Sequence, residues 1–103
     1  MAYFGNTEPL DANAEVIIGP HNTDRADYVS GMIFSDQDGT IFIEQSGDGT
    51  NWDISTSYPI TANDGKGFSE PLFGPYVRIR FLNGAADQGA FRLFAKYTSA
   101  GDS

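Results

Sequence analysis

Apolar and polar residues alternate over short stretches of this chain, as they do in strands with one buried and one exposed face. In the clearest stretch, Val77, Ile79 and Phe81 alternate with Arg78 and Arg80. Successive side chains of a strand point to opposite faces, so the apolar set is predicted to face a core and the arginines to face outward. A similar alternation recurs closer to the C-terminus, and no stretch has the spacing of an amphipathic helix.

Turn-forming residues divide the chain into seven predicted strands. The strands are predicted at 15–18, 28–35, 40–46, 52–58, 68–73, 76–82 and 90–98. Short strands at a spacing of roughly ten residues, separated by Gly, Pro, Asn and Asp, are typical of β-sandwiches and jelly rolls. We therefore predict an all-β fold, an antiparallel β-sandwich that is jelly-roll-like and has seven to eight strands. The predicted organisation is an extended N-terminal arm over 1–13, the sandwich domain over 14–99 and a flexible C-terminal tail over 100–103.

Proline limits two of the predicted strands. Gly19-Pro20 is predicted to end the first strand, and residues 21–27 are predicted as a loop. Pro59 has no backbone N–H to donate within a sheet, so the strand that contains it is predicted at a sheet edge or at a change of sheet.

A hairpin around the sequence SGDGTNW is the strongest local signal. Asp48-Gly49 favours a tight turn because glycine adopts positive φ without a Cβ clash and aspartate tolerates it better than most residues. Ser46 and Asp48 are expected to bond the turn amides, and Trp52 is expected to fold back over the turn. The predicted role of Ser46, Asp48, Gly49 and Trp52 is therefore structural.

The charge of the chain is acidic and unevenly distributed. Fourteen Asp and Glu against six Lys and Arg give a net charge of −8. This charge argues against nucleic acid and anionic membranes as partners, because phosphate groups require a basic surface. Four basic residues lie in one C-terminal stretch: Arg78, Arg80, Arg92 and Lys96. They form either a solvated face with local ion pairs or a basic stripe that meets an acidic partner or another copy of the protein.

Cysteine is absent from the sequence, which excludes disulfides, zinc–thiolate sites and cysteine nucleophiles. Packing and oligomerisation are then expected to stabilise so small a core. No apolar run approaches ~18 residues, so no transmembrane helix is expected, and the N-terminus lacks the pattern of a signal peptide. The expected location is the cytosol of the producing cell or a particle assembled there.

Residues that support catalysis or metal binding are few. His21 is the only histidine and lies in a polar stretch, with no partner expected for nucleophilic or metal chemistry. Four aspartates are candidates for calcium ligands or for turn capping: Asp36, Asp38, Asp48 and Asp53. Their spacing matches no complete calcium-binding loop, so capping is favoured. Paired carboxylates for glycoside hydrolysis stay open as an alternative. We predict that the protein is not an enzyme and has no catalytic residue, metal site or cofactor.

Two blocks of the sequence resemble a class of small virion proteins of tailed bacteriophages. The first is IEQSGDGTNWD and the second is PYVRIRFLNGAADQGAFRLFAKY. With the run YPITANDGKGFSE between them, the resemblance covers residues 42–97. The resemblance rests on Asp48, Gly49, Trp52, Tyr76, Arg78, Arg80, Asn83, Gly84, Gln88, Phe91 and Arg92. It implies a β-sandwich body. In the second block, Asn83-Gly84 is expected to turn the chain and Gln88 to bond the loop backbone. Arg78 and Arg92 are expected to lie across adjacent strands.

The resemblance implies a non-enzymatic structural subunit that binds an assembled lattice. The expected function is that of a phage capsid decoration (cement) protein, which binds and stabilises the lattice of the major capsid protein on the exterior of a virion assembled in the host cytoplasm. Self-association as a homotrimer is also expected. The predicted interface residues are Tyr3, Phe4 and Leu10 of the arm, with Arg78, Arg80, Arg92 and Phe94.

A second function class stays open at this point. An accessory tail or fibre module would bind host-surface carbohydrate, with Trp52, Tyr58 and Tyr76 stacking on sugar rings.

Overall fold

The computed structural model describes residues 3–23 and 26–99; the first two residues and the predicted tail over 100–103 lie outside the described residues. The described residues form eight β-strands and no helix. The strands are β1 (Tyr3–Asn6), β2 (Glu15–Asn22), β3 (Tyr28–Ser35), β4 (Gly39–Ser46), β5 (Ile54–Ile60), β6 (Lys66–Pro71), β7 (Tyr76–Asn83) and β8 (Phe91–Thr98). The seven predicted strands correspond to β2 through β8, and β1 lies within the segment predicted as an arm.

The eight strands are arranged in two antiparallel sheets. Sheet I has the strand order β1-β8-β3-β6, and sheet II has the order β2-β7-β4-β5. Strand β4 pairs with β5, β3 with β6, β2 with β7 and β1 with β8. The chain is therefore one long antiparallel ribbon wound into two sheets, a jelly-roll-like sandwich. The predicted fold class is confirmed.

The core lies between the two sheets and is built from alternate residues of the central strands. In β7 the inward residues are Val77, Ile79 and Phe81, and all three are buried. In β8 the inward residues are Phe91, Leu93 and Ala95. The alternation that predicted the strands thus also identified their buried faces, because successive side chains of a strand point to opposite sides.

Strand β2 is longer than predicted. Gly19-Pro20 was expected to end it, but pairing with β7 resumes beyond the proline, where His21 lies opposite Val77 and Asn22 lies opposite Tyr76. The register shifts between Ile18 and His21, so the proline lies in a bulge, where no ladder hydrogen bond is required of it. The prediction of a loop beginning at residue 21 is therefore wrong for the first two residues of that segment.

Proline is also accommodated at an edge. Strand β5 contains Pro59 and pairs only with β4, which places it at the edge of sheet II as predicted.

Candidate functional site

The turn between β4 and β5 is closed by two side chains. Asp48 Oδ1 accepts hydrogen bonds from the backbone N–H groups of Thr50 at 2.8 Å and Asn51 at 2.7 Å. Asn51 Nδ2 donates to Asp48 Oδ2 at 2.7 Å. Ser46 Oγ accepts from the N–H of Gly49 at 2.8 Å and donates to Asp48 Oδ1 at 3.0 Å. Gly49 has a φ of 81°, a conformation that favours glycine. The geometry is that of a capped turn.

Acid is expected to weaken this turn. Several hydrogen bonds hold the pKa of Asp48 well below its ordinary value, and the bond from the backbone N–H of Asn51 has the largest effect. A carboxyl with a depressed folded-state pKa contributes stability above its unfolded pKa, and that contribution is lost as the pH falls toward the folded pKa.

We therefore expect Asp48→Asn to lower the melting temperature at neutral pH, with a deficit relative to wild type that shrinks as the pH falls below about 4. Circular dichroism melts across this range provide the measurement. Asp53→Asn, an exposed aspartate outside the turn bonds, is the matched control. A deficit that is constant with pH would contradict the assignment.

Trp52 lies on the outer face of sheet II beneath an arginine. Its side chain is half-buried, and the Arg78 guanidinium carbon lies 4.3 Å from the ring centroid. Arg78 Nε also donates to Glu44 Oε1 at 2.7 Å. Trp52 thus packs against Arg78 of β7, the strand that lies beside β4 in sheet II.

Arg80 has similar contacts one row along the sheet. Its guanidinium carbon lies 4.0 Å from the centroid of Phe42. Its Nη1 lies 3.2 Å from Glu15 Oε2, and its Nη2 lies 3.6 Å from Glu44 Oε2. The cations of sheet II are therefore neutralised by carboxylates of the same chain.

The prediction that Arg78 and Arg92 lie across adjacent strands is wrong. Arg78 belongs to β7 in sheet II, whereas Arg92 belongs to β8 in sheet I. The connection between these strands crosses the sandwich, so their outward residues lie on opposite surfaces. The four basic residues of the C-terminal stretch are accordingly divided between two faces and form no single stripe.

The outer face of sheet I carries Arg92, Phe94 and Lys96 on β8. The Arg92 guanidinium carbon lies 4.4 Å from the ring centroid of Phe34 on β3. Phe94 is 43% exposed, and its cross-strand neighbour Met32 is 64% exposed. Met32 was not among the sequence-predicted interface residues. The alternation along β3 indicates that Met32 is exposed, because Val29 and Ile33 point inward and Met32 must then point outward.

The predicted arm contacts its own chain. Phe4 is half-buried, and its ring centroid lies 4.7 Å from that of His21 and 5.0 Å from that of Tyr97. His21 Nδ1 and the Tyr97 hydroxyl are 2.6 Å apart, and burial raises the pKa of Tyr97 above its ordinary value. The backbone of Tyr3 pairs with Lys96, and its side chain lies outside the described residues. Phe4 thus packs against β8 of its own sheet and against β2 of sheet II.

Asn83 and Gln88 hold the remainder of the N-terminal segment in place. Gln88 Oε1 accepts from the Leu10 N–H at 2.8 Å, and the Gln88 N–H donates to the Leu10 carbonyl at 2.9 Å. Asn83 Nδ2 donates to the carbonyls of Asp11 at 2.9 Å and Ala86 at 2.8 Å. Leu10 packs against the core. The loop backbone that Gln88 bonds therefore belongs to the N-terminal segment.

Gly84 follows Asn83 in the turn after β7. Its N–H donates to the Asp38 carbonyl at 2.9 Å, and its own carbonyl accepts from Asn13 at 2.8 Å. The turn thereby contacts both the N-terminal segment and the β3–β4 connection.

The turn aspartates bind backbone groups at separate places. Asp36 accepts from the Gly89 N–H at 2.9 and 3.0 Å, and Asp38 Oδ1 accepts from the Ala62 N–H at 2.8 Å. Within residues 3–23 and 26–99, no three His, Asp or Glu side chains are grouped as metal ligands. In the same ranges, no helix has the length and hydrophobicity needed to cross a membrane.

Sequence and structure comparisons relate the chain to known proteins. Residues 3–98 match the family described as "Uncharacterised protein YqxG N-terminal domain". YqxG of Bacillus subtilis (strain 168) is 37% identical over 67 residues, a region that is 64% of this chain and 23% of YqxG. The crystal structure of the PBSX exported protein XepA superposes with a TM-score of 0.88 at 21% identity, over 99% of this chain and 38% of XepA.

Two further solved structures share the fold more distantly. One is a protein of Bacillus endospore appendages, a family of disulfide-linked pili, with a TM-score of 0.54 and 18% identity over 95% of this chain and 89% of that one. The other is PirA, with a TM-score of 0.56 and 15% identity over 90% and 92% of the two chains. The chain spans less than half the length of YqxG and of XepA. Because the family match extends over nearly all of the described residues, the chain belongs to the family of the YqxG N-terminal domain.

Proposed function

We propose that this domain is a phage-associated structural protein without enzymatic activity, and that it decorates a capsid. It binds the lattice of the major capsid protein from the exterior of the virion and stabilises it, and it acts as a homotrimer. The resemblance of residues 42–97 to small phage virion proteins supports the phage association. The fold shared with XepA, an exported protein, supports a place of action outside the producing cell.

One observation carries the proposal. The residues that resemble phage virion proteins build the turns and central strands of the sandwich. Asp48 closes the β4–β5 turn, and Asn83 and Gln88 tie the N-terminal segment to the β7–β8 connection. Arg78 is engaged by Trp52 and a carboxylate. These contacts yield a rigid body with extensive outer faces, which suits a subunit that binds a surface.

The aromatic residues of the carbohydrate-binding alternative form no open platform. Trp52 has one ring face beneath Arg78. Tyr58 packs against the core, and Lys66 Nζ lies 5.3 Å from its ring centroid. Tyr76 is half-buried, and its ring lies beside the turn glycine Gly49. A sugar ring needs an accessible aromatic face, so the capsid function is the better supported of the two.

Co-sedimentation with expanded capsids tests the proposal. The purified chain is mixed with expanded shells that contain the major capsid protein and lack decoration protein, and bound chain is quantified after centrifugation. We expect saturable binding in a fixed ratio to capsid subunits, and a higher temperature of shell disruption. An acidic protein of similar size serves as the control. Absence of binding would contradict the proposal, and specific binding on a glycan array would favour the adhesion function instead.

A further inference from the structure

The outer face of sheet I carries an apolar ridge formed by Met32 and Phe94. In the register of the sheet, Gly5 of β1, Phe94 of β8, Met32 of β3 and Gly67 of β6 form one row across all four strands. The two large side chains in the middle are exposed, and the residues at both ends of the row are glycines. A depression of about 390 Å³ lies on the β6 side of the ridge, and one of about 360 Å³ lies on the β1 side.

The charges around the ridge are of one sign. Arg92 and Lys96 flank Phe94 on β8, and no strand residue that points outward from sheet I within the described ranges is Asp or Glu. Neither cation has an ion pair in the described part of the chain, whereas Arg78 and Arg80 of sheet II both do. A basic and apolar surface thus lies on a protein with a net charge of −8.

This arrangement specifies the chemistry of a partner. Burying Met32 and Phe94 in an interface would also remove water from Arg92 and Lys96, and an unpaired buried charge is strongly unfavourable. A partner that covers the ridge therefore needs carboxylates beside its apolar residues. Complementary charge around an apolar centre also sets the orientation of the two proteins and accelerates their association.

We propose that the outer face of sheet I docks an acidic loop of the lattice protein, whose apolar side chains enter the depressions beside Met32 and Phe94 and whose carboxylates pair with Arg92 and Lys96. The inference rests on the proposed function and deepens it, because it selects one face of the sandwich as the contact surface. Arg78 and Arg80, on the opposite face, are not part of this surface.

Substitutions on the two faces separate this surface from the rest of the molecule. Met32→Ser with Phe94→Ser removes the ridge. Ile17→Ser with Leu82→Ser is the matched control, because these apolar residues are 46% and 36% exposed on the outer face of sheet II. We expect the first pair to weaken binding to expanded capsid shells about 30-fold or more, as loss of central apolar contacts does at protein interfaces. The control pair is expected to bind like wild type.

A glycine substitution obstructs the surface without removing a contact. A Cβ at Gly67 would meet only the Gly31 carbonyl at 3.8 Å, an ordinary contact, so Gly67→Glu is expected to fold. It places a carboxylate beside Met32, where a carboxylate-bearing partner is repelled. Gly47→Glu makes the same charge change in open space at the β4–β5 turn. Only Gly67→Glu should reduce binding to the shells.

The outcomes are decisive in each direction. If the wild-type chain binds the shells and both sheet I variants (Met32→Ser with Phe94→Ser, and Gly67→Glu) bind them equally well, this inference is wrong and the proposed function stands. No binding by the wild-type chain overturns both the inference and the proposed function.

Analytical ultracentrifugation adds one further outcome. If the wild-type chain self-associates and the variant with Met32→Ser and Phe94→Ser is monomeric, this face joins copies of the chain and the inference is wrong. Weakened binding by Arg92→Ala with Lys96→Ala, accompanied by a smaller salt dependence, supports it.

Discussion

Replacing Phe81 with alanine is expected to lower the free energy of unfolding by about 3–5 kcal/mol, the usual range for removing a buried phenylalanine. Phe81 is fully buried in β7 of sheet II, and its ring centroid lies 5.0 Å from that of Phe91 in β8 of sheet I. The ring pair therefore joins the two sheets across the core. Because domains of this size have only about 5–15 kcal/mol of stability, the variant should unfold at a much lower urea concentration.

Equilibrium urea unfolding, followed by far-ultraviolet circular dichroism, measures this loss. Leu82→Ala is the matched control, because Leu82 is the next residue of the same strand and is 36% exposed on the outer face. We expect the control to lose less than about 1 kcal/mol. Comparable losses at the two positions would contradict the assignment of the ring pair as the contact between the sheets.

Replacing Asn83 with aspartate is expected to cost more than about 3 kcal/mol at neutral pH, because it buries a charge without a partner. Asn83 is 2% exposed. Its amide nitrogen faces the backbone carbonyls of Leu10, Asp11 and Ala86 at 2.8 to 3.3 Å. A carboxylate at this position would direct an oxygen at three carbonyl oxygens and would remove the side-chain donor to the Leu10 and Asp11 carbonyls.

The loss for Asn83→Asp should depend on pH in a defined direction. Burial and the surrounding carbonyls raise the folded-state pKa of the introduced carboxyl above its unfolded value. A group with a raised folded-state pKa contributes stability below its unfolded pKa and loses that contribution as the pH rises. The deficit relative to wild type should therefore be smaller at about pH 4 than at pH 7 in urea unfolding. Asn83→Ala, which removes the donor without adding a charge, should lose about 1–3 kcal/mol at both pH values.

Features that depend on neighbours in sequence were predictable. The turn at Asp48 uses side chains and amides within three residues of one another, so its geometry follows from the local sequence. The buried faces of β7 and β8 were equally predictable from Val77, Phe81 and Leu93, because alternation along a strand is independent of what the strand packs against.

Features that depend on distant segments were not predictable in this way. Gln88 bonds Leu10, which is 78 residues away, and nothing near either residue specifies the other. The predicted adjacency of Arg78 and Arg92 failed because a connection between consecutive strands has the same composition whether it stays in one sheet or crosses to the other. Strand β2 continued past Pro20 because β7 supplied a partner on the far side of the bulge.

The sequence by itself determined that the chain forms short antiparallel strands with capped turns and one apolar face each, since alternation and turn chemistry act over a few residues. Only the tertiary structure decided which outward residues share a surface. By assigning β7 and β8 to opposite sheets, it paired Arg78 and Arg80 with carboxylates on one face and left Met32, Phe94, Arg92 and Lys96 together on the other. The physical reason is that each strand must bury its apolar face against other strands, and these strands are distant in sequence. The arrangement that buries all the apolar faces together therefore depends on the whole set of strands and is not encoded in any one of them.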